Sequence, residues 1–342
     1  MKAILTFLYR LFLPLFFGLY ALKYLPLDAV KHLPFFSYFF PVCLVVLGLY
    51  FVIQIRSIKT WNLKTYLLFL FFLSQCAKFI QFSLPYQSQP VDFSVLTFNA
   101  QSFMYNKQKS RWENQEKVQD FLNQHQADVV CFQEIYWKDY NLYHPFSTTL
   151  KTTTVINSKF PIVNQGQFQT EDEEHSRNIF ADIVIKNDTF RIYNLHLQSF
   201  HLIEDSYDLV NNADQYFLGK KTNALSPFKT IISKFSQAYI NKAKQLRLIE
   251  DNLSQCPYPS FIIGDFNDIV HTNTYHRLSK HHSDSWFYRG TGFGASFSGF
   301  KLPFRIDFIL FPEQIHCESH QTISTETSDH KIVMSTFSIL DN

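Results

Sequence analysis

The stretch "SFIIGDFND", residues 260–268, decides how the second half of the chain folds. Its first residues are mostly apolar and β-branched or aromatic, which is typical of a buried strand. A glycine then precedes Asp265, Asn267 and Asp268. Buried carboxylates are unfavourable unless they are paired or bind a cation. The stretch therefore predicts a core strand that ends at a polar site, where these side chains find a partner.

Other short apolar runs end in the same way. Strand-like runs occur at 93–100, 127–135, 152–158, 178–185, 189–197 and 304–311, and helical patterns occur at 112–124 and 227–254. The polar residues at the ends of these runs, or just after them, include Asn99, Glu134, Asn194, His196, Asp307, Asp329 and His330. Because strands outnumber helices and alternate with them in groups, we expect an α+β domain of two packed sheets with helices outside.

The first 90 residues differ in composition from the rest. They contain eight basic residues and one acidic residue, whereas the remainder contains 23 basic and 28 acidic residues. Three apolar blocks, 4–22, 34–55 and 66–82, each approach the roughly 20 residues that a transmembrane helix needs. No polar stripe accompanies them, which argues against helices of a soluble bundle. We expect three transmembrane helices in residues 1–85, with a signal peptide as the alternative for the first block.

Basic residues between these blocks predict the orientation of the chain. The N-terminus carries Lys2, the first loop Lys23 and Lys31, and the second loop Arg56, Lys59 and Lys64. Because cytoplasmic loops carry the excess of Lys and Arg, the N-terminus and the second loop are predicted to lie inside. Three spans, followed by a linker at 86–91, then place a catalytic domain at 92–342 on the extracytoplasmic side.

The polar residues at the strand ends suit metal-assisted hydrolysis of a phosphoester. Carboxylates such as Glu134 hold Mg²⁺ while water and phosphate oxygens complete its coordination. A histidine oriented by an aspartate acts as a general base, and amides such as Asn99 and Asn267 orient water or phosphate without adding negative charge. The sequence has no Cys/His cluster with zinc spacing and no Walker-type loop.

Six segments, in this order, resemble the motif series of the endonuclease/exonuclease/phosphatase superfamily. They are "LTFNAQSF" (96–103), "DVVCFQEIY" (128–136), "YNLHLQSF" (193–200), "GDFND" (264–268), "RIDFIL" (305–310) and "SDHKIV" (328–333). The superfamily includes deoxyribonucleases, abasic-site endonucleases, inositol polyphosphate 5-phosphatases and neutral sphingomyelinases. The resemblance covers about residues 92–339 and implies a four-layer αββα sandwich of two mixed sheets, with a metal-dependent phosphoesterase activity.

The resemblance implies a metal site and a general base. Glu134 matches the principal ligand of Mg²⁺, with Asn99 and Asp329 beside it. His330 matches the general base, and Asp307 the carboxylate that pairs with it. Mn²⁺ is an alternative to Mg²⁺, because oxygen ligands accept both ions.

The resemblance also implies residues that contact the substrate. His196 matches a catalytic histidine that donates to the phosphate or leaving oxygen, and Asn194 is expected to contact the phosphate. Asp265 and Asn267 are expected to position the attacking water and to bind the transition state. Asn178 is a further candidate contact with the substrate.

The motifs leave the substrate open. Nonspecific nucleic-acid binding rests on a basic surface, whereas residues 91–342 carry a net charge of −5. A tether beside a bilayer raises the effective concentration of phospholipid headgroups. We therefore favour a lipid headgroup or small phosphoester as substrate, with a membrane-anchored nuclease as the second hypothesis. A non-catalytic ligand-binding domain is the third, disfavoured because every motif position is kept, and no feature predicts a protein partner.

Overall fold

The computed structural model of the protein describes residues 2–26, 33–82, 86, 88–104, 110–135, 144–171, 173, 177–200, 225–299 and 304–340. Within the chain, contacts define two compact units. Unit 1 comprises Met1–Ile80, Phe200–Ile240 and Val270–His276, and unit 2 comprises Gln81–Ser199, Asn241–Ile269 and Arg277–Asn342. The predicted linker at 86–91 lies partly outside the described residues, and the predicted boundary at residue 85 stays a prediction.

Unit 2 contains two six-stranded mixed sheets. The strands are β1 (Phe93–Asn99), β2 (Val129–Gln133), β3 (Phe146–Ser147), β4 (Val155–Ser158), β5 (Ile162–Phe168), β6 (Asn178–Ile185), β7 (Asp188–His196), β8 (Ser260–Asp265), β9 (Ser283–Asp284), β10 (Asp307–Phe311), β11 (Ile315–Ile323) and β12 (Ile332–Ile339). The first sheet has the order β11-β12-β1-β2-β4-β3 and the second β5-β6-β7-β8-β10-β9. Each sheet has one parallel pair, β1 with β2 and β7 with β8, and is otherwise antiparallel. The predicted pair of packed mixed sheets is confirmed.

The main core lies between these two sheets. Alternate side chains of β1 and β2, such as Val95 and Cys131, pack with Ile192 of β7 and Ile263 of β8. This alternation follows from the period of two along a strand, and it leaves the intervening residues to face the outer layer. The outer face of the first sheet, with Leu96 among others, forms a second cluster.

Six of the eight described α-helices lie wholly within one unit. They are α1 (Lys2–Ala21), α2 (Pro34–Ser37), α3 (Phe40–Gln54), α4 (Leu63–Cys76), α5 (Arg111–His125) and α8 (Ser285–Arg289), while α6 (Leu225–Gln255) and α7 (Asn273–Leu278) contribute to both units. α5 begins with a reciprocal capping box between Ser110 and Glu113. Its Val118 and Leu122 pack on the outer face of the first sheet.

Unit 1 is built from apolar helices and has its own aromatic core. Phe16 of α1, Phe40 and Leu47 of α3 and Leu68 of α4 are buried in it. A smaller cluster joins Phe35 to Phe235 of α6, with ring centroids 5.0 Å apart. The segment that begins at Phe200, although distant in sequence, therefore belongs to the same unit as the N-terminal helices.

The structure supports fewer membrane spans than the sequence predicted. Among the described residues, one helical run, Phe35–Lys59, is long and apolar enough to cross a bilayer, while Phe12–Tyr24 and Leu63–Cys76 are shorter. The 14 residues of α4 extend about 21 Å, less than the roughly 30 Å of a hydrocarbon core. The expectation of three spans is therefore replaced by one candidate span, and the predicted sidedness loses its basis.

Candidate active site

The polar strand ends of both sheets meet at one place. The parallel pair β1 and β2 delivers Asn99 and, one residue beyond β2, Glu134. In the other sheet His196, at the end of β7, is in register with Asp265, at the end of β8. The Asn99 amide joins the two sets, because its Nδ2 donates to Oε1 of Glu134 and to Oδ2 of Asp265, each at 3.1 Å.

Glycine at 264 lets β7 and β8 come together beside the site. Gly264 has φ of +128°, and a Cβ there would lie 2.0 Å from the carbonyl oxygen of Leu195. After the strand, Asn267 adopts the left-handed region at φ of 48°, and its N–H donates to Oδ1 of Asp265 at 2.7 Å. Its Nδ2 donates to the carbonyl of Leu197 at 3.0 Å. The strand thus ends in a tight, hydrogen-bonded turn that fixes both Asp265 and Asn267.

His330 and Asp307 form a buried pair beside Asp265. Nδ1 of His330 lies 3.0 Å from Oδ2 of Asp307, which is in register with Asp265 across β10 and β8. The opposite nitrogen, Nε2, lies 3.7 Å from Asp265 and 3.8 Å from Asp329. A carboxylate on Nδ1 holds this nitrogen as N–H and leaves Nε2 to face the other carboxylates.

The carboxylates around His330 control its protonation. Burial alone would lower the pKa of His330, but Asp307, Asp265 and Asp329 together raise this pKa to about 10. Burial also raises the pKa of Asp265 and of Asp329. Without a cation in the site, His330 is therefore an imidazolium at neutral pH, which offsets part of the clustered negative charge.

His196 faces the opposite edge of the cluster. Its Nε2 lies 3.4 Å from Oε1 of Glu134 and 3.9 Å from Oδ2 of Asp265. Its backbone N–H donates to Oδ1 of the buried Asn178 at 3.1 Å. Burial lowers the pKa of His196, so the neutral ring is favoured despite the nearby carboxylates. Asn178 thus supports the strand end that carries His196, and its contact with substrate stays a prediction.

The donor set fits a hard divalent cation. Four carboxylates, those of Glu134, Asp265, Asp307 and Asp329, converge here, and their only ion pairs within the described part of the chain are with histidines. Oδ1 of Asp329 is buried and has no hydrogen-bond partner among the described residues. One ligand atom each from Asp265, Asp307 and His330 lies within 4.8 Å of the others. Oxygen-rich sites of excess negative charge are typical of Mg²⁺ or Mn²⁺.

Comparison with known families agrees with this geometry. A family model described as the endonuclease/exonuclease/phosphatase family matches residues 96–330, which is more than half of the chain. The chain belongs to this family. Its members are hydrolases that act on phosphoester bonds. A comparison with curated proteins gave no match.

Comparison with solved structures gave matches at low sequence identity. An endonuclease/exonuclease/phosphatase family protein from Bacteroides thetaiotaomicron matches with a TM-score of 0.50 at 15% identity, over 73% of this chain and 96% of that one. A mannosyl-6-phosphatase from the same species matches at 0.48, with 15% identity over 72% and 100% of the two chains. A Neisseria 3′ phosphatase bound to a product DNA hairpin also matches at 0.48, with 14% identity over 72% and 99%. The resemblance to the first shows a common fold.

Asn194 lies apart from the cluster, although the family resemblance implied that it contacts phosphate. Its side chain is fully buried and bridges the two sheets, since Nδ2 donates to the carbonyls of Phe132 and Val155, each at 2.9 Å. Its Oδ1 accepts from Nε2 of Gln133 at 2.7 Å. These three bonds occupy the amide, so the structure gives Asn194 a role in holding the sheets together.

Two residues that position the site were not predicted from the sequence. Lys242 lies on the polar face of the α6 pattern, yet it is fully buried, and its Nζ donates to the carbonyl of Asn267 at 2.8 Å. Oγ of Ser328 donates to the carbonyl of Asn99 at 2.7 Å and accepts from the N–H of His330 at 3.0 Å. The only sequence signal for Ser328 was its place as a small residue directly before Asp329 and His330 in the last motif. The amphipathic pattern of the helix gave no signal for Lys242.

Proposed function

We propose that the protein is a Mg²⁺-dependent phosphoesterase whose chain is attached to a membrane through its N-terminal region. The reaction is hydrolysis of a phosphodiester or phosphomonoester by attack of water. Family membership supports the reaction class, and the run Phe35–Lys59 supports attachment to a membrane. The observation that carries the proposal is the convergence of four carboxylates and two histidines at the strand ends of both sheets, tied together by Asn99.

His330 is the general base in this proposal. Asp307 orients the ring through Nδ1, so that Nε2 is the atom that accepts a proton from water. A base must be neutral, and the raised pKa of His330 therefore sets a condition on the working enzyme. Positive charge near Asp265 and Asp329 offsets their effect on the imidazole and lowers its pKa towards neutrality.

The remaining polar residues bind and orient. His196 is placed by Asn178 to donate from its ring to a phosphate or leaving oxygen. Asn267, fixed by the turn after β8, presents its amide beside Asp265, where the attacking water is held. Such fixed dipoles stabilise charge that develops in the transition state without reorganising during the reaction.

Glu134 and Asp329 are the residues that would hold the cation, with Asn99 beside them. Asn99 orients Glu134 through its Nδ2, and Asp329 offers the unpartnered Oδ1. A divalent ion there supplies positive charge to a phosphate oxygen. The left-handed backbone of Glu134, at φ of 54°, is a conformation that non-glycine residues adopt infrequently and that clusters at functional sites.

A lipid headgroup or a small phosphoester is the favoured substrate, with a nuclease as the second candidate. The net charge of −5 in residues 91–342 gives little attraction to a nucleic-acid backbone. A chain attached to a bilayer meets phospholipid headgroups at high effective concentration.

The test is an assay of the full chain in a phosphate-free detergent with Mg²⁺ or with chelator. Sphingomyelin-like, inositol-phosphate and sugar-phosphate substrates are compared with supercoiled and single-stranded DNA. We expect Mg²⁺-dependent release of product from a lipid or small ester, abolished by His330→Ala and unchanged by His281→Ala, which alters an exposed histidine. Cleavage of DNA alone would favour the nuclease, and no metal-dependent turnover on any substrate would contradict the proposal.

A further inference from the structure

The described part of unit 1 buries a lysine that has no acidic partner among the described residues. Its described residues include no Asp or Glu, because its acidic residues all lie at 28 or within 204–214, outside the described ranges. Lys23, just after α1, is only 4% exposed, yet it forms no ion pair with an acidic side chain among the described residues. A buried ammonium is costly unless something compensates for its charge.

The surroundings of Lys23 compensate for part of this charge. Its Nζ lies 4.0 Å from the ring centroid of Tyr20 and 5.0 Å from that of Tyr24. Aromatic faces attract a cation, and the C-terminal end of a helix does so too, but each of these effects is weaker than an ion pair with a carboxylate. Burial and the neighbouring Lys78 nevertheless lower the pKa of Lys23 to about 7, and a bound anion would favour its charged form.

A second lysine, Lys78, lies close to Lys23. The side chain of Lys78, just after α4, lies within hydrogen-bonding and Coulombic range of Lys23. Two ammonium groups repel one another, and this repulsion grows where water is excluded. Side chains of like charge come together in folded proteins when an anion lies between them or when one of them loses its proton.

The loop after β8 brings a third polar group, the imidazole of His271, close to Lys23 and Lys78. His271 is 3% exposed and packs edge-on against Phe40 and Phe79, with ring centroids 4.2 and 5.0 Å apart. Both ring nitrogens lack a hydrogen-bond partner among the described residues. Lys23 and Lys78 are close enough to lower the pKa of His271, in addition to the effect of its burial.

The backbone holds this loop against the end of α1. Nδ2 of Asn273 donates to the carbonyl of Lys23 at 2.9 Å and to that of Leu25 at 2.7 Å. Asn273 therefore fixes the loop that carries His271 to the turn that carries Lys23. The two lysines and the imidazole form a built cluster, because each comes from a different segment and one buried amide ties two of these segments together.

We propose that Lys23, Lys78 and His271 form a binding site for a phosphate group, separate from the active site and independent of the proposed hydrolysis. Two ammoniums match the charge of a phosphate and offer it several donors, and an imidazole N–H supplies a further one even when the ring is neutral. The ligand supplies the negative charge that the lysines lack among the described residues, and it accepts a hydrogen bond from one of the two unpartnered ring nitrogens of His271. The phosphate belongs either to an anionic phospholipid or to a soluble phosphate compound.

The experiment uses the full chain purified in dodecyl maltoside with chelator present, so that metal-bound phosphate at the active site does not contribute. Thermal unfolding is followed against inorganic phosphate, with chloride at matched ionic strength. Native mass spectrometry counts phospholipid retained from nanodiscs that contain phosphatidic acid. Lys23→Met and Lys78→Met are compared with Lys64→Met, which alters an exposed lysine of the same unit.

We expect a saturable rise of the unfolding temperature with phosphate, or retained phosphatidic acid, because a ligand that binds only the folded state stabilises it. Both site variants should weaken this binding at least tenfold, while Lys64→Met leaves it unchanged. Stabilisation by inorganic phosphate without retained lipid identifies a soluble ligand, and the reverse identifies a lipid. The proposal is overturned if the wild-type chain binds neither probe, or if the site variants bind as Lys64→Met does. Should Lys23→Met fail to fold, the half-buried Lys78 carries the test alone.

Discussion

Units 1 and 2 differ in how they accommodate buried charge. In unit 2, Arg191 forms a two-pronged ion pair with Asp182, and Arg305 lies 2.7 Å from Asp284. The four carboxylates at the strand ends, by contrast, form ion pairs only with histidines among the described residues. In unit 1, the described residues provide no carboxylate for Lys23. In each unit, buried charge of one sign that the described residues do not fully compensate is the basis of a proposed ligand site: a cation site in unit 2 and an anion site in unit 1.

The largest effect is expected at the histidine of the carboxylate cluster. His330→Ala should lower kcat by roughly 10²- to 10⁴-fold, because a positioned general base contributes about that much. His281→Ala is the matched control, since this histidine is exposed. Steady-state rates and thermal unfolding are measured for both variants. A His330→Ala enzyme with near-normal rates, and a fold as stable as wild type, would remove His330 from the mechanism.

A core substitution in unit 1 tests whether its discontinuous segments fold together. Phe235 packs on Phe35, Tyr38 and Phe200 with ring centroids 4.3 to 5.5 Å apart. Phe235→Ala should destabilise unit 1 by about 3 kcal/mol. Hydrogen exchange should then lose protection in 232–240 and at 35–38, while β1 keeps its protection. Phe293→Ala, at a residue 57% exposed, should change neither segment. Equal loss of protection in β1 would mean that the two units unfold as one.

Replacing Asn99 tests how far the carboxylate cluster depends on the amide that bridges it. Asn99→Ala removes the donor shared by Glu134 and Asp265. Loss of a group that orients a metal ligand typically weakens metal binding roughly 10- to 100-fold. We expect Asn99→Ala to weaken Mg²⁺ binding by about this factor, as measured by calorimetry. Asn123→Ala, at an exposed position in α5, is the control. Unchanged Mg²⁺ affinity would place the metal away from Glu134 and Asp265.

The smallest effect concerns a buried neutral histidine of unit 2. Burial lowers the pKa of His282 to about 4, below the usual value near 6.5 of an unfolded chain. The unfolded state then binds the proton more readily, so stability is fully present above pH 6.5 and is lost as the pH falls towards 4. His282→Gln should remove about 1–2 kcal/mol of this dependence, measured by urea unfolding between pH 7 and 4. His281→Gln, which removes only the weaker repulsion between the two histidines, should keep most of the wild-type slope.

The sequence predicted unit 2 better than unit 1 for a physical reason. Strand period and motif residues are local, so the two sheets and the positions of Asp265, Asp307 and His330 follow from short segments. Asn194 shows the limit, because an amide at a strand end serves equally well to bond backbone carbonyls across two sheets. The described part of unit 1 includes contacts of Phe35 and Tyr38 with Phe200 and Phe235, and hydropathy alone carries no information about such pairing.

Turnover as a function of Mg²⁺ concentration tests the central claim most directly. The full chain is assayed on its best phosphoester substrate as wild type, as Glu134→Gln and as Glu313→Gln, which alters an exposed glutamate. If the carboxylate cluster holds the catalytic cation, wild type and Glu313→Gln should saturate at the same Mg²⁺ concentration and stop with chelator. Glu134→Gln should then require far more Mg²⁺ or lose turnover. Equal activity of all three proteins in chelator would contradict a metal-dependent site at these strand ends.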